Sequence, residues 1–470
     1  MNVNIRNVSS LVALLALYVP AAQAAQAGMQ CDRAASGTEV AICADADLRK
    51  LDGKLSAVYG KLAGAQAPQR AALRQAQLAW LKTRDQCGAD KGCIKARYDD
   101  RLAALQAQLR EAAAYKPDSV DRQALEDLRQ AVEAMRKTEP VFPLEKALDA
   151  IRIKTGMTTF ANVKEDQQTG DDAHFPTTRP PGVTSDEWCA LLASGIEGGG
   201  ENGNASYTLM DIDGDGQRDL IIDTYAGGTG LFSYVSALRR EGGKFAGADG
   251  STGRADALEG GGYLYSVNGR GANQAADWVR LRGRVYAAYR SSYYGVDNVY
   301  LLRPLTVVGE VPRLAVQYRY QLSIPRVQKD EEKGTVTTLD STLHAALTRA
   351  LRQASSAAAR DAGTMDKPLC PVPDTVKGDD RGVYYSYGPG HYTFEIVADM
   401  PVWVGRQCYV GQLVDWFGGY SPKDGLFAQL WMRMPEDQEQ AQTQTYSVKG
   451  LRTAVGIKAS IGKVEGDNGM

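Results

Sequence analysis

No stretch of this 470-residue chain is apolar for the ~20 residues that a membrane-spanning helix needs. Histidine is scarce: His174, His344 and His391 are scattered and share no motif. The chain has no G-x-S-x-G elbow, no H-E-x-x-H helix and no P-loop, so none of the common hydrolase, metalloprotease or nucleotide sites is announced. Cys-x-x-Cys spacing is missing too, and no histidine lies near the cysteines, which argues against zinc. Nor is there an excess of either charge. With 54 Lys+Arg against 56 Asp+Glu the net charge is −2, so neither nucleic-acid nor membrane-surface binding is expected. No repeat of fixed period occurs. An enzyme is therefore not expected. A glycosidase, whose two acids need no sequence spacing, is the one class that motif absence leaves untouched. His391, in Gly388-Pro389-Gly390-His391-Tyr392, is the best lone acid–base candidate and reads more simply as a turn residue.

What is present begins with an export signal. Arg6 supplies a positive charge, Leu11–Val19 a short apolar run, and small residues give A-x-A sites ending at Ala24 and Ala27. Cys31 stands beyond Gly28, Met29 and Gln30, too far on to be a lipid-anchored first residue. The mature chain is expected to be periplasmic or secreted.

The expected organisation is an α+β multidomain chain. A signal peptide at 1–27 precedes a helical hairpin domain at 28–115. A helical segment and linker at 116–184 leads to a mainly β domain at 185–470, with a split near 330–365 if it forms two subdomains. Leu48, Leu51, Leu55, Tyr59 and Leu62 recur at helical steps, and Ser36 three residues before Glu39 forms a capping box that opens the first helix. The pattern breaks at Gly64–Pro68 and resumes through Leu73, Trp80, Tyr98, Leu102 and Leu105. After a short helix expected around Glu187–Leu192, runs such as Leu220–Tyr225, Trp278–Tyr289, Val299–Leu302 and Leu314–Leu322 alternate apolar and polar residues between Gly-rich turns. Tyrosine (23) far outnumbers phenylalanine (8), which suits half-polar sheet surfaces.

Seven cysteines in an exported chain imply disulfides and one odd thiol. Cys43 and Cys87 lie equally far from a hairpin turn centred near Ala65. Equal antiparallel arms would place them opposite each other, with Cys31 and Cys93 as an outer staple. The six-residue spacing of Cys87 and Cys93 also admits a local link, with Cys31 then joined to Cys43. The nested pattern is the favoured one. Of Cys189, Cys370 and Cys408, one is expected to stay unpaired.

The residues of this region form a pattern: Cys31, Thr38, Glu39, Ile42, Cys43, Leu48, Leu51, Asp52 and Tyr59. Gln77, Trp80, Leu81, Arg84, Asp85, Cys87, Cys93, Tyr98 and Arg101 follow. In residue types and spacing it resembles the LprI-type lysozyme-inhibitor N-terminal domain, a small cysteine-stapled helical module of bacterial envelopes. The resemblance covers about 90 residues. It implies a lysozyme-like peptidoglycan hydrolase as partner. Read physically, Trp80 and Tyr59 are core residues, Glu39 is a cap, and Arg84 with Asp52 is a candidate interhelical ion pair.

Asp211-Ile212-Asp213-Gly214-Asp215-Gly216-Gln217-Arg218-Asp219 is the sharpest chemical signal. Calcium takes six to eight oxygens, and carboxylates at loop positions 1, 3, 5 and 9 with the Gln217 carbonyl could wrap one ion. The acid an EF-hand needs at position 12 is replaced by Ile222, and a strand follows in place of a helix. The loop is thus similar to calcium loops of β-propeller and FG-GAP-like repeats, and its ion would brace a sheet. The β region is also loosely similar to calcium-loop periplasmic lysozyme-inhibitor and immunity proteins. That likeness points to Ser292, Tyr293 and Tyr294 as a loop able to enter an enzyme cleft, although the same residues read as an ordinary hairpin turn. The expected function is steric inhibition of a lysozyme-like enzyme. The alternative is a non-inhibitory envelope module, braced by calcium, that binds glycan or another envelope protein.

Overall fold

The structure, a computed structural model, describes residues 29–65, 70–164, 173–196, 199, 201–228, 231–248, 263–269, 273–330, 334–355, 367–385, 395–421, 425–435 and 444–464. The export-signal residues and His391 lie outside them. The chain forms two compact units that divide between Ala113 and Ala114.

In the first unit, the Ser36 hydroxyl accepts from the Glu39 amide while the Glu39 carboxylate accepts from the Ser36 amide, and this capping box starts α1 (Gly37–Ala44). Asp45 then accepts from the Asp47 and Leu48 amides and opens α2 (Ala46–Ala65). The expected second arm is two helices, α3 (Arg70–Asp85) and α4 (Lys91–Ala113). Gly88 turns the chain between them with φ +57°, and Asp90 caps α4 through the Cys93 amide. Asp45 meets Lys91 and Asp52 meets Tyr98 at the same sequence offset, so α2 and α4 run parallel. Gln77 meets Arg101 and Arg84 meets Tyr98, so α3 runs against α4. Ile42, Leu48, Leu55, Leu62, Ile94, Tyr98 and Leu105 form the core.

This second corner corrects the nested disulfide pattern. The bonds are Cys31–Cys43 and Cys87–Cys93, with Cα atoms 5.5 Å and 5.6 Å apart. Counting from a single turn near Ala65 placed Cys43 opposite Cys87 only because it assumed one straight arm. The chain bends at Gly88, so each bond closes a corner next to it in sequence.

In the second unit, α5 (Ser119–Thr138) begins at an Asp118–Asp121 capping box, and α6 (Pro143–Ile151) begins with proline in its first turn. Both lie on an eight-stranded antiparallel sheet of order β13-β14-β15-β16-β10-β9-β8-β7. The strands run β7 (Asn273–Leu281), β8 (Arg284–Tyr293), β9 (Val296–Leu302), β10 (Val311–Ser323), β13 (Glu395–Val404), β14 (Gln407–Ser421), β15 (Gly425–Arg433) and β16 (Gln444–Gly462). A second sheet holds β1 (Thr158–Ala161), β2 (Ala205–Met210), β3 (Asp219–Gly227), β4 (Phe232–Glu241), β5 (Lys244–Ala246) and β6 (Tyr265–Asn268). One face of this six-stranded sheet packs on β8–β10 through Ile221, Val235, Tyr265, Tyr289 and Tyr300. Its other face carries α7 (Ser185–Ala193). A third helix, α8 (Ser341–Ser355), covers β13–β16 on the same face of the large sheet as α5 and α6. The short hairpin of β11 (Val327–Asp330) and β12 (Thr335–Thr338) completes the unit. Residues 116–184 thus supply two packed helices and a sheet strand, and one sheet continues across 330–365.

Candidate functional site

The acidic segment is the turn between β2 and β3. Gly214 and Gly216 adopt φ +83° and +85°, which lets the chain curl around its own carboxylates. Asp211 accepts from the Gly214 amide at 2.8 Å and the Gly216 amide at 3.3 Å. Asp213 accepts from Asp215, and Asp215 from Gln217. One carboxylate oxygen from each of Asp211, Asp213 and Asp215 lies within 4.8 Å of the others. Oxygens around one calcium ion at ~2.3–2.6 Å sit no more than ~5 Å apart, so this set could hold calcium. The donors are all hard oxygens, which suits calcium and not zinc. Arg239 is a resident cation at the same place, with Nη1 2.9 Å from Asp213 Oδ2.

The remaining members of the segment hold the turn in place. Asp219 is buried and lies outside the three-carboxylate cluster. It accepts from the Ile212 amide at 3.2 Å and the Arg240 amide at 2.9 Å. Burial, with Asp213 and Asp215 nearby, pushes its pKa up to about 6. Arg218 reaches the other way. It donates to Glu187 at 2.8 Å and 2.6 Å, and to the Thr158 hydroxyl and the Gly182 carbonyl. Glu187 is itself the third residue of a capping box with Thr184. The turn is thereby tied to β1, to α7 and to β4.

Ser292, Tyr293 and Tyr294 lie at the β8–β9 corner, where Gly295 turns with φ +92°. The three do not form one displayed loop. Ser292 is buried, and the Tyr294 ring stacks on Tyr320 with centroids 4.2 Å apart. Only Tyr293 is exposed. The tight two-residue corner fixes this, because alternate strand residues face opposite sides. His174 contacts the Phe175 carbonyl and His344 the Ile324 carbonyl, so both brace backbone.

In the first unit, Tyr98 is fully buried and connects three groups. Its hydroxyl donates to Asp52 at 2.7 Å and accepts from Arg84 at 3.2 Å. Asp52 also accepts from the Met29 amide at 2.6 Å. The expected Arg84–Asp52 ion pair is therefore replaced by a tyrosine bridge, and Arg84 pairs with Asp85 at 2.7 Å. Trp80 packs edge-on against Tyr98 with centroids 5.3 Å apart and donates from its indole to the Arg97 carbonyl. Gln77 accepts from Arg101 at 3.1 Å and 3.0 Å. Residues 31–105 match the family described as Lysozyme inhibitor LprI. No curated protein and no solved structure matches the chain.

The LprI-type residues of the motif thus serve the fold. Asp52, Arg84, Tyr98, Gln77 and Arg101 make one another's hydrogen bonds between helices, and the four cysteines close corners. Two features escaped the sequence reading: the Glu187–Arg218 anchor and the Cys370–Cys408 disulfide, whose Cα atoms are 5.7 Å apart. Both join residues far apart in sequence with no local signature. Cys189 is the unpaired thiol and is exposed.

Proposed function

We propose that this protein binds a peptidoglycan-cleaving enzyme of the lysozyme type outside the cytoplasm and blocks it sterically. The observation that carries the reading is the match of residues 31–105 to the LprI lysozyme-inhibitor family. Disulfides in both units support an oxidising compartment. Among the described residues no helix is long and apolar enough to cross a membrane. A rigid disulfide-closed helical unit suits inhibition, since a binder that orders nothing on contact keeps more of its contact energy. At the β8–β9 corner, any contact with the enzyme would run through Tyr293, the one member of Ser292–Tyr294 that is displayed. The acidic turn is proposed to take a structural calcium ion through Asp211, Asp213, Asp215 and the Gln217 carbonyl, with Asp219 holding the turn from behind.

The test is lysis of peptidoglycan by a panel of lysozymes of different classes, with the mature full-length chain titrated in and calcium present. Inhibition that saturates near one chain per enzyme is expected for at least one class. Undiminished lysis by every panel member at a large excess of the chain would sink the reading.

A further inference from the structure

Among the described residues, the face of the eight-stranded sheet turned away from α5, α6 and α8 is covered at both flanks and exposed between them. At one flank the six-stranded sheet packs on β8, β9 and the start of β10. At the other, the segment around Cys370 and Tyr384 packs on Cys408 and Val410 of β14. Between them lie β15, β16 and the second half of β10. Here Leu451, Val455 and Phe427 are 59%, 44% and 41% exposed. Phe427 stands beside Lys449 across the β15–β16 ladder, and Leu451 lies beside Gln321 of β10. Trp431, on the same face, donates its indole N–H to Gln429 at 2.9 Å, which fixes the ring. The described charges on this face of the strip are all positive: Lys449, Arg319 and Lys458 are exposed, and Arg433 at the end of β15 is half-buried and donates to the Tyr385 carbonyl; glutamine, serine and threonine fill most positions between.

We propose that this strip is a binding surface for an anionic polysaccharide. Aromatic and aliphatic side chains set flush among amides and hydroxyls suit rings that present C–H faces and hydroxyl edges. A surface with cations and no described carboxylate selects a negatively charged strand. The outward-facing positions of β16 between residues 445 and 455 span about 30 Å, enough for several sugar rings. Three exposed cations over this length are few for a nucleic acid, whose binding scales with the phosphates neutralised. The proposal does not rest on the inhibitor reading, because it concerns the second unit alone.

The experiment is pelleting of the full mature chain with protein-free peptidoglycan sacculi, which carry carboxylates, against neutral chitin. Wild type is expected to pellet with sacculi more than with chitin and to be released by salt. Phe427→Ser with Leu451→Ser, and separately Arg319→Glu with Lys449→Glu, should each weaken binding at least about fivefold, roughly 1 kcal/mol. Their melting temperatures should match wild type, and Phe427→Tyr should retain binding. Three results would overturn the proposal: wild type left in the supernatant, folded variants that pellet like wild type, or equal binding to chitin that ignores the charge reversal. Loss of self-association in the variants with unchanged pelleting would show the strip to be a protein contact and would overturn it as well.

Discussion

Tyr98 sits between α2, α3 and α4, with its hydroxyl shared between a carboxylate and a guanidinium. Replacing it with phenylalanine keeps the ring contact with Trp80 but removes the bridge, so Asp52 loses a buried donor. Tyr98→Phe is expected to cost about 1–3 kcal/mol, read from the urea midpoint of the full chain. A loss below about 0.3 kcal/mol would show the bridge to be dispensable. Glu187 carries a pH prediction at the same scale. The Arg218 guanidinium, helped by the Thr184 amide and hydroxyl, holds its pKa down to about 2, below the usual carboxylate range. A lowered folded-state pKa stabilises at pH values above the unfolded one, near 4.5, and the stabilisation fades as pH falls toward 2. Glu187→Gln should therefore cost on the order of 2–3 kcal/mol at pH 7 and progressively less between pH 4.5 and 2. A cost that stays constant across that range would refute the assignment.

At the scale of the element, the acidic turn joins two strands of the six-stranded sheet, and its three carboxylates repel one another, with Arg239 paired to Asp213 among the described residues. Calcium is expected to raise the melting temperature of the mature chain, and Asp213→Asn with Asp215→Asn to remove the increase. A chelator titration that leaves the wild-type transition in place argues against the ion. The disulfides are a second prediction at this scale. Each closes a short loop and is expected to contribute about 2–3 kcal/mol. Non-reducing peptide mapping should give Cys31 linked to Cys43 and Cys87 linked to Cys93. A Cys43–Cys87 peptide would contradict the corner at Gly88.

Elements were readable where their signal is local. The Ser36–Glu39 capping box, the helical steps of Leu48–Leu62 and the glycines of the acidic turn all stand within a few residues of what they specify. Partners were not. The bend after Asp85 carries one glycine as its mark, and missing it exchanged the cysteine pairs. Helices α5 and α6 were legible by periodicity, although Thr158–Ala161 beyond them is a strand, and nothing local states that the helices pack on a sheet that begins more than a hundred residues later.

At the scale of the molecule, the long-range order of the second unit converges on Arg452. It lies on β16, near the C-terminus of the chain, and is almost fully buried. Its guanidinium pairs with Glu145 of α6 at 2.9 Å and Asp297 of β9 at 3.2 Å, and donates to the Val141 carbonyl at 3.0 Å. The rings of Tyr318 and Phe142 lie over it at 4.2 Å and 4.8 Å. One side chain thus ties the helices that enter the unit to a strand that closes its sheet, with β16 inserted between β10 and β15. Arg452→Met keeps the volume and leaves Asp297 buried without its counter-charge, so a loss of about 3 kcal/mol is expected. Adding Asp297→Asn should recover part of it, since the cost comes from the stranded carboxylate and not from lost packing. Additive losses in the double variant would instead mean that Arg452 acts through its stacking on Tyr318 and Phe142, and that the ion pairs contribute little.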